Sequence, residues 1–518
     1  MLGRGGNTVR DAALVGGMIV DGTGTKPFPA NLFVTCGRIS GVSSSPPPSS
    51  AEVIDCTGLV IAPGFIDAHS HSDLQVLENA PEKLLQGVTS EIVGNCGFSA
   101  YPTGERATEL REFANGIFSG DESWGWHDAR SYIADTGTRC RTGVSSLVGH
   151  GSLRVAVAGH QLGPLPERSM DAMVHMLDDA LDEGAVGLST GLMYSPGASS
   201  PVEELDRLCS VVVRHNRVYA THIRNYSDEV CEALQEQIGI ATRTGCRLQI
   251  SHLQVVGPRN WDKQQQALEI IERARQGGVD IAFDCYPYTR GSTVLTQLVP
   301  QWALEGGLQG LQARLGNRGE RRSICLEMDR TVAQGWPGIL ISAVRSSARQ
   351  DLVGLSIADI AEIWNAEPAL VVLDLLVQEG GAVNILGINQ SEANLKQTLT
   401  HPLSMIISDG FYVRGRPHPR LYGTFPLLLG DICRRRKWLS LEEAVEKITY
   451  RPAQRFGLQG RGKIESGYYA DLTIFDPEEI DSAATYENPS VAPAGIRYVL
   501  REGEILVEDG RVANHVTS

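Results

Sequence analysis

The stretch Gly64-Phe65-Ile66-Asp67-Ala68-His69-Ser70-His71-Ser72-Asp73 constrains this chain more than any other. An apolar, strand-forming run stops on two histidines separated by one serine. Alternate side chains of a strand share a face, so His69 and His71 point the same way and could hold one metal ion. A polar strand end with two surface histidines is the plainer alternative. Against it, the apolar run reads as buried, and a buried imidazole needs a partner.

At 518 residues the chain exceeds what one core organises, which predicts one large domain plus a smaller one. An apolar fraction of 42% and a charged fraction of 21% are those of a soluble globular protein. With 46 basic against 61 acidic residues the net charge is -15, which argues against nucleic acid or an anionic membrane as the main partner. A small molecule is the expected partner. The N-terminus has no continuous apolar segment of signal-peptide type, and no later stretch is long and apolar enough to span a bilayer, so a cytoplasmic location is expected. The ten cysteines form no Cys-x-x-Cys pair and fit reduced, buried thiols.

Residues 12–60 read as short strands punctuated by glycine and by a serine- and proline-rich loop at 43–50, and 462–512 repeats that texture. Neither end has strands enough for its own core, so both are expected to build one β-sandwich from residues 1–62 and 456–518. Between them, apolar runs at 65–69, 90–93, 144–148, 185–189, 218–222, 247–252, 280–284 and 404–408 alternate with amphipathic helical stretches. Two of these are 170–183 and 441–450, the latter opening on a capping box of Ser440 and Glu443. Eight such strands predict an α/β fold, a metal-dependent (β/α)8 TIM-type barrel over 63–455. The gap between strands seven and eight, 286–403, is too long for a simple connection. It is expected to hold an inserted subdomain or lid at about 288–350, with further helical stretches near 357–364 and 369–378.

His69 and His71 end the first strand, Cys96 follows the second, His222 ends the fifth, His252 ends the sixth and Asp409 follows the eighth. All six therefore converge on one face of the barrel, the face where active sites of this fold sit. Singly, Cys96 could be an inert thiol, each histidine a hydrogen-bonded core residue and Asp409 a turn or helix cap. Jointly those readings need six coincidences of position, so the six are taken as a metal site.

These motifs resemble the amidohydrolase superfamily and, within it, the N-acyl-D-amino-acid deacylases, or D-aminoacylases. The resemblance covers nearly the whole chain. It is carried by Gly64 to His71, by Gly87-Val88-Thr89 through Gly94-Asn95-Cys96-Gly97-Phe98, by Gly187-Leu188-Ser189-Thr190-Gly191-Leu192-Met193-Tyr194, and by Ser408-Asp409-Gly410 running to His418-Pro419-Arg420-Leu421-Tyr422-Gly423-Thr424. Many amidohydrolases set a carboxylated lysine between their metals, whereas this subgroup uses a cysteine after the second strand, matching Cys96. The resemblance implies zinc-dependent hydrolysis of the linear amide bond of an N-acyl amino acid, of D configuration by expectation. It implies one tightly held Zn2+ on Cys96, His222 and His252, and a second, weaker metal position at His69, His71 and Asp409 that shares Cys96. Thiolate and imidazole nitrogen are good zinc ligands, and three ligands leave a position open for water. Asp409 is then the catalytic carboxylate, general base toward the metal-bound water and, after the hydroxide attacks, general acid toward the leaving amine.

For the substrate, the resemblance implies Arg420 on the α-carboxylate, since two guanidinium donors match two oxygens, with Tyr194 and Ser292 lining the pocket. His150, ending the third strand, is expected to face the barrel mouth, either as a pocket or supporting residue or equally as a structural one. Two positions depart from the family. Where D-aminoacylases carry a lysine that helps bind the carboxylate, two residues after the sixth-strand histidine, this chain has Gln254. The acidic residue usual after the His-x-Arg motif is also missing, because Asn225 follows His222-Ile223-Arg224. Catalytic groups are intact while recognition is altered, so an unusual N-acyl or cyclic amide is expected. A hydantoinase- or dihydroorotase-like cyclic amide hydrolase is the second enzymatic reading, set back by Cys96 and by the Arg420 motif. A non-catalytic scaffold is the third; it should have lost metal donors, and all six are present. His127, His160, His175, His215 and His515 are expected to be structural or on the surface, and Cys285 an ordinary core thiol.

Overall fold

The computed structural model describes residues 11–118 and 124–513; Arg4, Arg10 and His515 lie outside them. Eight parallel strands, Phe65–Asp67, Val88–Val93, Gly143–Gly149, Gly187–Gly191, Val218–His222, Arg247–Ile250, Ile281–Cys285 and Ser404–Ile406, neighbour one another in chain order. Most are buried without a break, as apolar runs must be when helices cover the outside and side chains fill the inside. The barrel closes beyond the strand ends. Asp409 donates its backbone N–H to the His69 carbonyl at 2.9 Å, and His71 donates to Gly410 at 2.9 Å. The two segments that close the ring are therefore the two that carry His69, His71 and Asp409.

The chain ends meet in one nine-stranded sheet, where Val60–Pro63 pairs antiparallel with Leu472–Phe475. A bulge between Leu14 and Gly17 lets Ala12–Ile19 pair with Glu52–Asp55 along its first half and with Val60–Pro63 along its second. Leu14, Leu32, Ile39, Ile61, Leu472 and Leu500 form the core of this β-sandwich. Elsewhere the sheet packs on the barrel, where the fully buried ring of Phe65 lies 6.0 Å from that of Phe425 and 6.3 Å from that of Phe475. Helix Leu441–Ile448 does open on the capping box of Ser440 and Glu443.

Between the seventh and eighth strands stands a third sheet, with Val383–Ile388 antiparallel to both Arg290–Val294 and Ile339–Val344. Helices Arg318–Thr331, Ile357–Trp364 and Pro368–Gln378 share its apolar core. The insert thus runs on to Ile388, past the span of about 288–350 expected from the sequence. Its last strand in the chain is its middle strand in space, and no local pattern reveals that order. Among the described residues no helix is long and apolar enough to cross a membrane. All ten cysteines are free and nine are buried, so no disulfide braces either domain.

If the Phe65, Phe425 and Phe475 rings clamp the terminal sheet to the barrel, Phe475→Ala should lower stability by about 3–5 kcal/mol. The check is the urea midpoint of unfolding, and an unchanged midpoint would mean that the clamp lies elsewhere.

Candidate active site

Each candidate donor sits at or just past the C-terminal end of a barrel strand, where the backbone turns outward. Cys96, His252 and Asp409 hold φ angles of 53°, 33° and 50°. That is the left-handed region, which costs side-chain-bearing residues roughly 1–3 kcal/mol each and persists only where the surroundings enforce it. Gly94 shows how tight the second-strand loop is: a Cβ there would collide with the Leu147 carbonyl.

Cys96 Sγ lies 3.3 Å from His69 Nε2 and 3.4 Å from His252 Nε2. His222 Nδ1 lies 3.1 Å from His252 Nε2. Asp409 Oδ1 lies 3.4 Å from His69 Nε2 and 3.3 Å from His71 Nε2. A tetrahedral zinc with nitrogen at about 2.0–2.1 Å and sulfur at about 2.3 Å spaces its ligands about 3.3–3.6 Å apart, so these donors fit a metal ion. The trios Cys96, His222, His252 and His69, His71, Cys96 each gather one donor atom per residue within 4.8 Å. The outer nitrogens His71 Nδ1, His222 Nε2 and His252 Nδ1 are buried without a hydrogen-bond partner. The nitrogens that do meet one another, His69 Nε2, His71 Nε2, His222 Nδ1 and His252 Nε2, crowd the Cys96 thiol and the Asp409 carboxylate, and a shared cation satisfies such a buried set.

Burial holds His222 well below the ordinary imidazole value and pulls His252 down to about 4, so both are neutral donors at neutral pH. Burial also raises the Cys96 thiol, against the opposing pull of His69. For Asp409 burial acts upward, but Arg420 first, then His252 and His69, outweigh it and hold the carboxyl well below its usual range.

A layer the sequence did not disclose supports these donors from below. Asp284, at the end of the seventh strand, accepts the His252 backbone N–H at 2.6 Å and the Gln249 amide at 2.8 Å, and lies 3.4 Å from His69 Nδ1. Lys83, fully buried, pairs with Asp67 and donates to the Ser408 hydroxyl at 2.5 Å. Asp67 Oδ1 accepts the Ser408 N–H at 2.9 Å, and the Ser408 hydroxyl accepts that of Gly410 at 2.9 Å. Both neighbours of Asp409 are thereby pinned. Asp67 stood in the first-strand motif and Asp284 at a strand end, where acidic residues are uncommon, so their position was the one available signal.

Above the donors is a cavity of about 190 Å³ whose far wall belongs to the insert. Tyr194, Ser292 and Gln254 line it. The Tyr194 ring centre lies 4.9 Å from that of His222, the two rings tilted, and its hydroxyl shares a 3.1 Å hydrogen bond with Thr293. Tyr226 also lines it, with its ring centre 4.9 Å from that of His222 and its hydroxyl donating to the Ser251 carbonyl at 2.8 Å. Arg420 is 1% exposed, with Nη1 2.8 Å from Asp409 Oδ2 and Nη2 donating to the Ser292 carbonyl at 3.3 Å. His418 Nδ1 accepts the Arg420 backbone N–H at 3.0 Å, which accounts for the histidine of that motif.

His150 is a correction. The expectation placed it at the barrel mouth, but the third strand ends at Gly149 and His150 begins helix His150–Ala158. Its fully buried ring hydrogen-bonds Glu204 at 2.7 Å, and Glu204 also receives Arg154 Nη1 at 2.9 Å. The ring lines none of the cavity. A buried carboxylate between an arginine and an imidazole holds two helices together and leaves nothing for a substrate.

A closed barrel that gathers four imidazoles, a thiol and a carboxylate at its C-terminal mouth has the build of the metal-dependent hydrolases. The family model described as "Amidohydrolase family" matches residues 52–507. N-acyl-D-glutamate deacylase of Alcaligenes xylosoxydans xylosoxydans is 33% identical over 95% of this chain and 93% of its own. D-aminoacylase of the same organism is 32% identical over 95% and 93%. The crystal structure of N-acyl-D-glutamate deacylase from Bordetella bronchiseptica, complexed with zinc and a phosphonate mimic of the tetrahedral intermediate, superposes with a TM-score of 0.83 at 33% identity, covering 97% of this chain and 98% of that one. The chain belongs to the amidohydrolase family, in its D-aminoacylase branch.

Burial acts to raise the Glu204 carboxyl, but hydrogen bonds and charge from His150 and Arg154 outweigh it and hold the carboxyl low. A depressed carboxyl stabilises fully above its unfolded value, about 4.3, and that contribution is lost as pH falls through the folded value. Glu204→Gln should therefore destabilise by about 3 kcal/mol at pH 7, with the gap to the parent closing below about pH 4. Urea midpoints across that range decide it, and a gap independent of pH would contradict the ion pair.

Proposed function

We propose that this protein is a zinc-dependent deacylase that hydrolyses the amide bond of an N-acyl-D-amino acid to a carboxylate and the free amino acid. The observation behind it is the convergence of Cys96 with four histidines and Asp409 at the mouth of a barrel related over nearly its full length to deacylases of that kind. Cys96, His222 and His252 would hold one Zn2+ tightly, and His69, His71 and Asp409 a second, weaker position that shares Cys96. Bound there, zinc supplies Lewis acidity that polarises the acyl carbonyl and makes an attacking water acidic.

Asp409 carries the proton. Its Oδ2 is held by Arg420 and its Oδ1 faces His69 and His71, so the carboxylate is ionised and oriented before the substrate arrives. It takes the proton of the attacking water and returns it to the departing amine as the C–N bond breaks; the oxygen of water stays on the acyl carboxylate. Arg420 is the group for the substrate's α-carboxylate. Its guanidinium lies 4.8 Å from the Tyr286 ring centre and 5.6 Å from that of Phe411, so little rotamer freedom is left to lose on binding. The insert roofs the cavity and keeps bulk water from the acyl carbon. Nine buried free thiols favour a reducing, cytoplasmic setting.

Amine release from N-acyl amino acids of both configurations, with hydantoin and dihydroorotate alongside, tests the class. Hydrolysis of linear D-configured amides that a chelator abolishes is expected, and turnover of the cyclic amides alone would replace the assignment. Asp409→Asn should keep the fold and the tight zinc while lowering kcat by about 10²–10⁴-fold; near-parental turnover would remove Asp409 from its role. Arg420→Ala should raise KM for carboxylate-bearing substrates at least about tenfold, with partial recovery in Arg420→Lys, and an unchanged KM would mean that the carboxylate is held elsewhere.

A further inference from the structure

We infer that the pocket selects an N-acyl amino acid whose side chain carries no charge. This rests on the deacylase activity proposed above and extends it to the class of substrate. Outside the metal-donor cluster, no lysine, arginine, aspartate or glutamate lines the cavity among the described residues. Arg420, beside it, is turned to Asp409 and the Ser292 carbonyl. The wall facing the donors instead presents the amides of Gln254, Asn389, Gln334 and Gln297, interleaved with Leu298 and Ile385.

These amides are held in one orientation. Gln254 Oε1 accepts from the Tyr286 hydroxyl at 2.8 Å and from Asn389 Nδ2 at 3.0 Å. Asn389 Oδ1 in turn accepts from Gln334 Nε2 at 3.5 Å. With its oxygen occupied twice and 7% of its surface exposed, Gln254 has its Nε2 hydrogens left for the cavity. Asn225 repeats the arrangement: its Oδ1 accepts the backbone N–H groups of Ser227 at 2.6 Å and Glu229 at 3.3 Å, leaving Nδ2 free at the cavity wall.

A side-chain carboxylate brought among these groups would lose its water and meet no cation, which disfavours the ionised form strongly. An uncharged side chain loses much less. If polar, it exchanges hydrogen bonds with water for hydrogen bonds with fixed amides; if apolar, it packs on Leu298 and Ile385. The selection therefore acts on charge, at constant size.

The test uses the zinc-loaded parent protein and three substrates with side chains of one length: N-acetyl-D-glutamine, N-acetyl-D-methionine and N-acetyl-D-glutamate. Values of kcat/KM for the first two should exceed that for glutamate by about 100-fold. Glutamate equal to or better than either would overturn the inference and leave the deacylase activity standing. Hydrolysis of none of the three would overturn the deacylase assignment and this inference with it. A second measurement places a cation in the roof: Gln334→Lys should raise kcat/KM for the glutamate substrate about tenfold relative to glutamine. An unchanged ratio in a folded, zinc-loaded variant would show that charge at this wall does not set selection.

Discussion

Six polar side chains withdrawn from water into one small volume set the terms for everything around them. Thiol, imidazole and carboxylate each lose hydration there, and their donor atoms stand 3.1–3.4 Å apart with lone pairs turned toward one another. Nothing in a protein interior satisfies such a set as well as a cation does. The surroundings hold the donors in place regardless: Asp284 ties the sixth strand's histidine to the seventh strand, and Lys83 with Asp67 fixes both neighbours of Asp409. Lys83 and Asp67 pair with each other while buried, so losing either would leave the other stranded.

The barrel makes this arrangement possible by geometry. Its strands bring residues far apart in the chain to one rim, and the backbone turns beyond the rim are sharp enough to put three donors in left-handed conformations. At Asp409 the strain is enforced by the closing hydrogen bonds of the barrel, from Asp409 to His69 and from His71 to Gly410, and at His252 by the bond from its N–H to Asp284. The terminal sheet, clamped by the Phe65, Phe425 and Phe475 rings, steadies the first strand from outside. The insert contributes from above, supplying the neutral wall that faces the donors.

Much of this was legible along the chain. The barrel strands appear as apolar runs because most are buried on both faces, and period-two alternation alone puts His69 and His71 on one side. The His150 expectation failed for a physical reason: strand-end position gives no direction once the backbone enters a helix, and the partner that captures the ring, Glu204, is 54 residues away. The insert was under-measured because its last strand lies between its other two.

The sequence by itself determined the barrel, the sandwich made of both ends, and which six side chains are candidate donors at the barrel mouth, since each follows from local hydrophobic period and from where a strand stops. Only the tertiary structure decided that Lys83 reaches Ser408 across 325 residues, that Arg420 pairs with Asp409, and that the pocket wall is neutral. Those are contacts between groups with no relation in the chain, formed when the ring closes and the insert folds over it. Hydrophobic period dictates which face of an element is buried, and packing alone dictates what that face then meets.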